Sequence, residues 1–231
     1  MAAVATALTA GAQQVSPKAY YTDSKGMQQE SDVISDGQAP LDVTFRANPS
    51  DMGEYSPSFE WHFVKTEKNG ERRELFVRYE EDTQYTFNES GNYDVVLKTR
   101  LEQDGAELDS VTVKVSIAES RLEMPNAFSP NDDGFNDVYG AKGVNDPESP
   151  MHYRSIVKFD AYIFNRYGQK IYEWHDPAGS WNGKHNGHDV KEGVYYVLVK
   201  ARGADGKEYN IRKDVNLIRG YNKEGNGTAN E

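Results

Sequence analysis

The sequence predicts an all-β fold arranged as tandem β-sandwiches. Three observations carry this. Apolar residues recur at every second position from residue 41 onward. Turn chemistry interrupts these runs at short intervals. No segment shows the helical period over the length of a normal helix.

The elements follow in order. Leu41, Val43, Phe45 and Ala47 share one strand face, and so do Phe59, Trp61 and Phe63. Tyr93, Val95, Leu97 and Thr99 repeat the pattern, then Val111, Val113, Val115 and Ile117. Asn48-Pro49-Ser50 and Glu89-Ser90-Gly91-Asn92 punctuate the runs, while Asn69-Gly70 and Asp104-Gly105 predict hairpin turns. Short strands at this spacing predict a sandwich over 41–118. Residues 119–124 form the join, and a second β block runs over 122–221 with a loop or a single turn at 143–154. Residues 222–231 are polar and rich in Gly and Asn, which predicts a flexible tail.

The 231 residues carry a net charge of −11, no cysteine, 37% hydrophobic residues and 15 Tyr. Length alone predicts one to two domains at ~150 residues each. The acidic balance argues against nucleic acid and anionic membrane surfaces as partners, because the field repels both. Without cysteine there is no disulfide, thiol nucleophile or Cys-ligated zinc. No apolar run approaches the ~18 residues of a membrane-spanning helix.

Residues 2–12 are uncharged and Ala-rich, and Ala10 and Ala12 form the small-x-small pattern of a signal-peptidase site. The basic region expected before such a stretch is missing, since the first Lys is Lys18. Both facts fit a signal-peptide remnant at 1–12, with Met1 an internal methionine. The alternative is a short Ala-rich helix or tail. Residues 13–40 are polar and predict a leader with at most one short strand near 19–22.

Within 41–118, Phe59-Glu60-Trp61-His62-Phe63 is followed by Tyr85-Thr86-Phe87 and then Gly91-Asn92-Tyr93-Asp94-Val95-Val96-Leu97. This order resembles a PKD-type immunoglobulin-like domain. One departure is visible: Val64-Lys65-Thr66-Glu67-Lys68 replaces the family's Gly-Asp-Gly. The resemblance implies a spacer or adhesive module with Trp61 between two sheets.

The second block carries five ordered motifs. Pro125-Asn126-Ala127-Phe128-Ser129-Pro130-Asn131-Asp132-Asp133-Gly134-Phe135-Asn136-Asp137 comes first, then Asn165-Arg166-Tyr167-Gly168. Trp181-Asn182-Gly183 follows, then Gly193-Val194-Tyr195-Tyr196-Val197, and Val215-Asn216-Leu217-Ile218-Arg219 closes the block. Together they resemble the gliding-motility-associated C-terminal domain of Bacteroidota, the type B sorting domain of the type IX secretion system. That family commonly has Gly where Asp132 stands. The resemblance implies two tandem Ig-like β-sandwich domains on an exported protein held at the cell surface or outer membrane, or released. It implies an outer-membrane barrel protein or the secretion machinery as partner. It also implies bacterial O-glycosylation at Asp109-Ser110-Val111, whose other reading is an ordinary strand start.

The residues themselves suggest further sites. Ser129, Asn131, Asp133, the Phe135 carbonyl and Asp137, around Gly134, fall at calcium-loop spacing. Gly140 stands where the bidentate Glu belongs, and the alternative is a set of Asx-turns that satisfies its own backbone. His185, His188, Asp189 and the nearby His175-Asp176 suggest a metal or acid–base site, but they lie in a Gly- and Asn-rich stretch without helical spacing, and the alternative is solvated loop residues. Trp174 and Trp181 suggest an aromatic platform for a surface glycan, or else core. Val194, Tyr196 and Leu198 on one face of a strand, with Tyr195, Val197 and Val199 on the other, predict a central strand between two packed layers. Residues 207–219 carry Lys207, Arg212, Lys213 and Arg219, which mark either a protected edge strand or a contact for an acidic partner. No catalytic motif appears, so the expectation is a non-enzymatic envelope protein. A structural subunit of an outer-membrane assembly and a carbohydrate-binding surface protein are the alternatives.

Overall fold

The computed structural model describes residues 14–50, 56–101, 105–144 and 153–220, all in strands, turns and loops with no helix among them. The expected signal remnant at 1–12 and tail at 222–231 lie outside the described residues. Accordingly, no described helix is long and apolar enough to cross a membrane. The chain divides into two compact units after Ile117, the second also taking in Gln38–Pro40 and Asn88–Ser90.

The first unit begins with β1 (Gln14–Val15), β2 (Lys18–Thr22), β3 (Gln28–Ser31) and β4 (Val33–Gly37). It continues through β5 (Leu41–Arg46), β6 (Pro49–Ser50), β7 (Pro57–Thr66) and β8 (Arg72–Arg78), then β9 (Thr83–Phe87), β10 (Gly91–Leu101) and β11 (Glu107–Ile117). Two main sheets form, ordered β3-β2-β5-β9 and β4-β11-β10-β7-β8. Their inner faces meet through aromatic side chains. Phe45 of β5 lies 5.9 Å from Trp61 and 5.7 Å from Phe63, both on β7, and Phe87 of β9 lies 4.9 Å from Tyr93 of β10. Trp61 is fully buried, and its indole N–H donates to the carbonyls of Glu80 and Glu81. That satisfies the one polar atom its burial brings inside.

Residues 13–40 correct the expectation of a polar leader. They supply β1 to β4, with β2 between β3 and β5, and β4 running parallel to β11. The reason for the miss is physical. These strands bury few apolar side chains, Val15, Ala19 and Ile34 among them, while Gln28-Gln29-Glu30-Ser31 forms an all-polar edge. Such an edge resists pairing with other chains and hides its period from hydropathy.

The second unit contains β12 (Arg121–Leu122), β13 (Ala127–Phe128), β14 (Tyr139–Gly140), β15 (Tyr153–Arg154) and β16 (Ile156–Phe164). They are followed by β17 (Lys170–Trp174), β18 (Ser180–Trp181), β19 (Lys184–His185) and β20 (His188–Asp189). The two longest come last, β21 (Gly193–Gly203) and β22 (Glu208–Leu217). The main sheet is ordered β13-β22-β21-β16-β17. Short ladders β14–β18 and β12–β15 bring Tyr139, Trp181 and Leu122 into the core with Phe128, Ile163, Val197, Val215 and Leu217.

Two further expectations change here. β21 is central in its sheet, but only one of its faces is packed among the described residues. Tyr195, Val197 and Val199 are buried, whereas Val194 is 46% and Tyr196 50% exposed. The basic strand β22 is not an edge. Residues 120–128 run along it, with the Ser120 hydroxyl 2.9 Å from Tyr209 Oη. Asn126 O accepts from Asn216 N at 2.9 Å, and Phe128 O accepts from Ile218 N at 3.1 Å. Lys213 donates to Met124 O and Asn126 Oδ1, so its charge caps carbonyls inside the domain.

Candidate functional site

The motif residues of the second unit collect at one end of its main sheet. β13 and β22 run parallel toward that end, β16 finishes there, and β17 and β21 begin there. The 129–137 loop, the 165–168 turn, the 182–192 segment and residues 218–220 therefore lie at the same end of the sheet, although more than eighty residues separate the first from the last.

The 129–137 loop closes on Asp137. Its Oδ1 accepts from the backbone N–H of Asn131 at 3.0 Å and of Asp132 at 2.7 Å, and its Oδ2 from that of Gly134 at 2.8 Å. Asp133 Oδ1 takes Phe135 N at 2.9 Å, and Ser129 N donates to Asn136 O at 2.8 Å. Asp132, Gly134 and Asn136 all sit at positive φ, 62°, 84° and 53°, where Gly, Asn and Asp are the residues least penalised. The position where the resembled family commonly carries Gly is thus one of three left-handed positions. These hydrogen bonds are those of the Asx-turn alternative. Asp137 is engaged by the loop's own amides, Ser129 is buried, and no group of three His, Asp or Glu among the described residues could hold a metal. A thermal melt with and without chelator is expected to show no shift.

Arg219 ties the other segments to this loop. Its guanidinium donates to Pro130 O at 3.3 Å, Gly183 O at 3.1 Å and Val190 O at 3.2 Å, and lies 3.4 Å from Asp189 Oδ1. Glu192 Oε1 accepts from the backbone N–H of Arg219 and, at 3.2 Å, from that of Gly220. Gly183 would be strained and crowded by a side chain at this junction. Its φ is +75°, and a Cβ would stand 3.1 Å from Leu217 Cδ1 and 3.2 Å from Pro130 Cγ. Sequence reasoning quoted Arg219 as the close of a motif and as one charge of a basic strand, and passed over Glu192. The available signal was a planar five-donor cation next to a strand end, in a stretch rich in turn carbonyls.

Trp181 and Trp174 are 0% and 6% exposed, which corrects the expectation of a glycan platform. Trp181 packs at 5.2 Å from both Phe128 and Tyr195, and its indole N–H donates to Lys184 O at 2.8 Å. Trp174 packs at 6.1 Å from Phe159 and 5.9 Å from Tyr172. The histidines are not brought together as a site. His185 Nδ1 is 2.7 Å from Ile171 O, His175 Nδ1 is 2.7 Å from Asp160 Oδ1, and His188 is exposed on the β19–β20 hairpin. Asn165 and Gly168 build the β16–β17 turn, where Asn165 Oδ1 accepts from Tyr167 N at 3.0 Å and Gln169 N at 3.1 Å. Arg166 and Tyr167 project from it into solvent, with the guanidinium 4.9 Å above the Tyr167 ring. Pro125, Gly193 and Tyr195 complete the motif set. Pro125 O accepts from the Tyr139 hydroxyl, Gly193 opens β21, and the Tyr195 hydroxyl donates to Lys191 O at 2.7 Å.

Two phenols sense this packing. Burial pushes Tyr139 well above the usual phenol range, and burial raises Tyr195 against the opposing pull of Arg219. The unfolded phenol ionises near ~10, so folding keeps a proton that the unfolded chain loses. This contribution to stability is complete below pH ~10 and falls as pH rises from there toward the folded pKa. The melting temperature of the second unit is therefore expected to drop above that pH, and Tyr139→Phe to flatten the drop.

Chemically, this end offers fixed loops of defined shape, with its carboxylates and cations engaged in holding them. Residues 122–215 match the family model of the CHU_C Type IX secretion signal domain. The match covers the β12–β22 scaffold up to Val215, leaving Arg219 four residues beyond it. No curated protein matches the chain. Among solved structures, the crystal structure of dimeric latent PorU from Porphyromonas gingivalis matches at 9% identity and a TM-score of 0.26. The match covers 88% of this chain, which spans 20% of that one.

Proposed function

We propose that the chain is a non-enzymatic exported protein whose residues 122–221 form an Ig-like sorting domain of type IX secretion. In this reading the domain is recognised in its folded state by an outer-membrane partner and directs the chain to the cell surface. The match of 122–215 to a type IX secretion signal domain is the observation that carries it. The meeting of Pro130, Gly183, Val190 and Arg219 at one end of the unit supports a signal read as a shape rather than as a linear tag.

Residues 41–118, with the strands of 13–40 added, serve in this reading as a PKD-like Ig-fold spacer or adhesive module. The solvent face of its five-stranded sheet supports that role. Its charges pair in place, Arg100 with Glu60 at 3.2 Å and Arg72 with Asp94 at 2.8 Å, and His62 Nδ1 lies 2.7 Å from Glu74 Oε2.

The reading is tested by following the full chain in host cells with and without working type IX machinery. The chain is expected at the surface in the first and in the periplasm in the second. Equal surface display in both would rule the reading out.

A further inference from the structure

The solvent face of the second unit's main sheet is unlike its counterpart in the first. An exposed sheet face is normally polar. Here Val194 and Tyr196 on β21 are about half exposed, and Leu198 and Phe164 lie beside them. The register places Phe164 opposite Tyr196, and Tyr196 opposite Asp214, so these side chains form one row across three strands. A shallow groove runs over this row, lined by Phe164, Tyr196, Leu198, Arg212 and Asp214. Ile218, 43% exposed, extends the apolar surface past the end of β22.

The charges around the groove point to the occupant. Arg166, Lys158, Lys200 and Arg212 are exposed and form no ion pair among the described residues. Of the carboxylates on this face, Glu173 and Glu208 are paired with Lys170 and Arg202, and Asp160 is hydrogen-bonded to His175, so two carboxylates, Asp160 and Asp214, stand against those four cations without a Lys or Arg partner among the described residues. A chain of net charge −11 thus presents one face with surplus positive charge around an aromatic and aliphatic centre. Aromatic residues and Arg are enriched where protein interfaces bind, and unpaired rim cations select an oppositely charged partner. Two copies meeting through this face would set like charges together, which disfavours self-association.

We propose that this sheet face, centred on Tyr196 and Val194, is the docking surface for an acidic protein partner with an apolar centre. The inference rests on the reading of 122–221 as a folded sorting signal and names the surface by which it is read. The three loops and the turn at the sheet end would then fix the register of the face rather than supply the contact.

The test uses the full chain in its native host, with Tyr196→Ser, Arg212→Glu and the double variant beside a chain lacking 122–231. Both substituted side chains are exposed, so an unchanged melting temperature of each purified variant establishes that it folds. The double variant is expected to show about a tenfold loss of surface display, the scale set by losing one interface hot spot. Arg212→Lys, which keeps the charge, is expected to retain display. Normal display of the folded double variant, with display abolished by the deletion, would overturn this surface and leave the sorting reading standing. Normal display of the deletion chain as well would overturn both. A concentration-dependent dimer that Tyr196→Ser abolishes would assign the face to a second copy and also overturn the proposal.

Discussion

Replacing Trp181 by Ala is expected to destabilise the second unit by about 3–5 kcal/mol, the range for deleting a fully packed large aromatic. The side chain is 0% exposed, and Phe128, Tyr195 and Tyr172 surround its ring at 5.2, 5.2 and 6.4 Å. Those partners come from β13, β21 and β17 and Trp181 itself from β18, so one truncation opens a cavity shared by four elements. Its indole N–H also holds Lys184 O at the start of the β19–β20 hairpin. Trp181→Phe should cost less, because much of the ring volume stays while the hydrogen bond to Lys184 O is lost. Chemical denaturation read by the remaining tryptophans separates the units, since Trp61 reports the first and Trp174 the second. The expected result is an early transition for Trp174 with the Trp61 transition unmoved. A cost under about 1 kcal/mol would mean that Trp181 is not the core residue described here.

Arg219→Ala is expected to cost about 2–3 kcal/mol, and to act on loops rather than on the sheet. Three carbonyls, those of Pro130, Gly183 and Val190, lose a charged donor at once. The guanidinium is 26% exposed, so water replaces part of what is lost, and the estimate sits below the sum of three charge-assisted bonds. Arg219→Lys should recover only a fraction, because an ammonium has no planar fork to reach separate carbonyls from one position. Amide hydrogen exchange distinguishes this from a general loss of stability. Amides of the 129–137 loop and the 183–192 segment should exchange faster, while the central β21–β22 ladder stays protected. Uniform loss of protection across the unit would contradict the tie that Arg219 makes.

Much of this architecture was legible in the sequence because period and burial coincided. Phe59, Trp61 and Phe63 alternate inward on β7, and all three are buried. Asn69-Gly70 forms its turn, with Gly70 N donating to Glu67 O at 2.9 Å. Of the strands within 13–40 only β2 was legible, near 19–22, while β3 was not, because its edge position places Gln, Glu and Ser where a central strand would place Val or Ile. The two apolar faces of β21 were visible as a pattern, but hydropathy could not say that one of them faces water. Trp181 in a Gly- and Asn-rich stretch looked as suited to a surface platform as to a core. Only the fold brings Phe128 to it across more than fifty residues of chain, with Tyr195 of β21 on another side of the ring. Arg219 was hidden for the same reason: its partners are backbone carbonyls, which leave no residue signature in the sequence.

The central claim is that 122–221 carries the instruction for export to the surface. It is tested most directly by protease treatment of intact host cells making either the full chain or the chain lacking 122–231. The account predicts that the full chain is cleaved from outside while the shortened chain is protected in the periplasm and is digested only after the outer membrane is opened. Equal cleavage of both chains on intact cells would contradict it, and would make the second unit a structural or binding module instead.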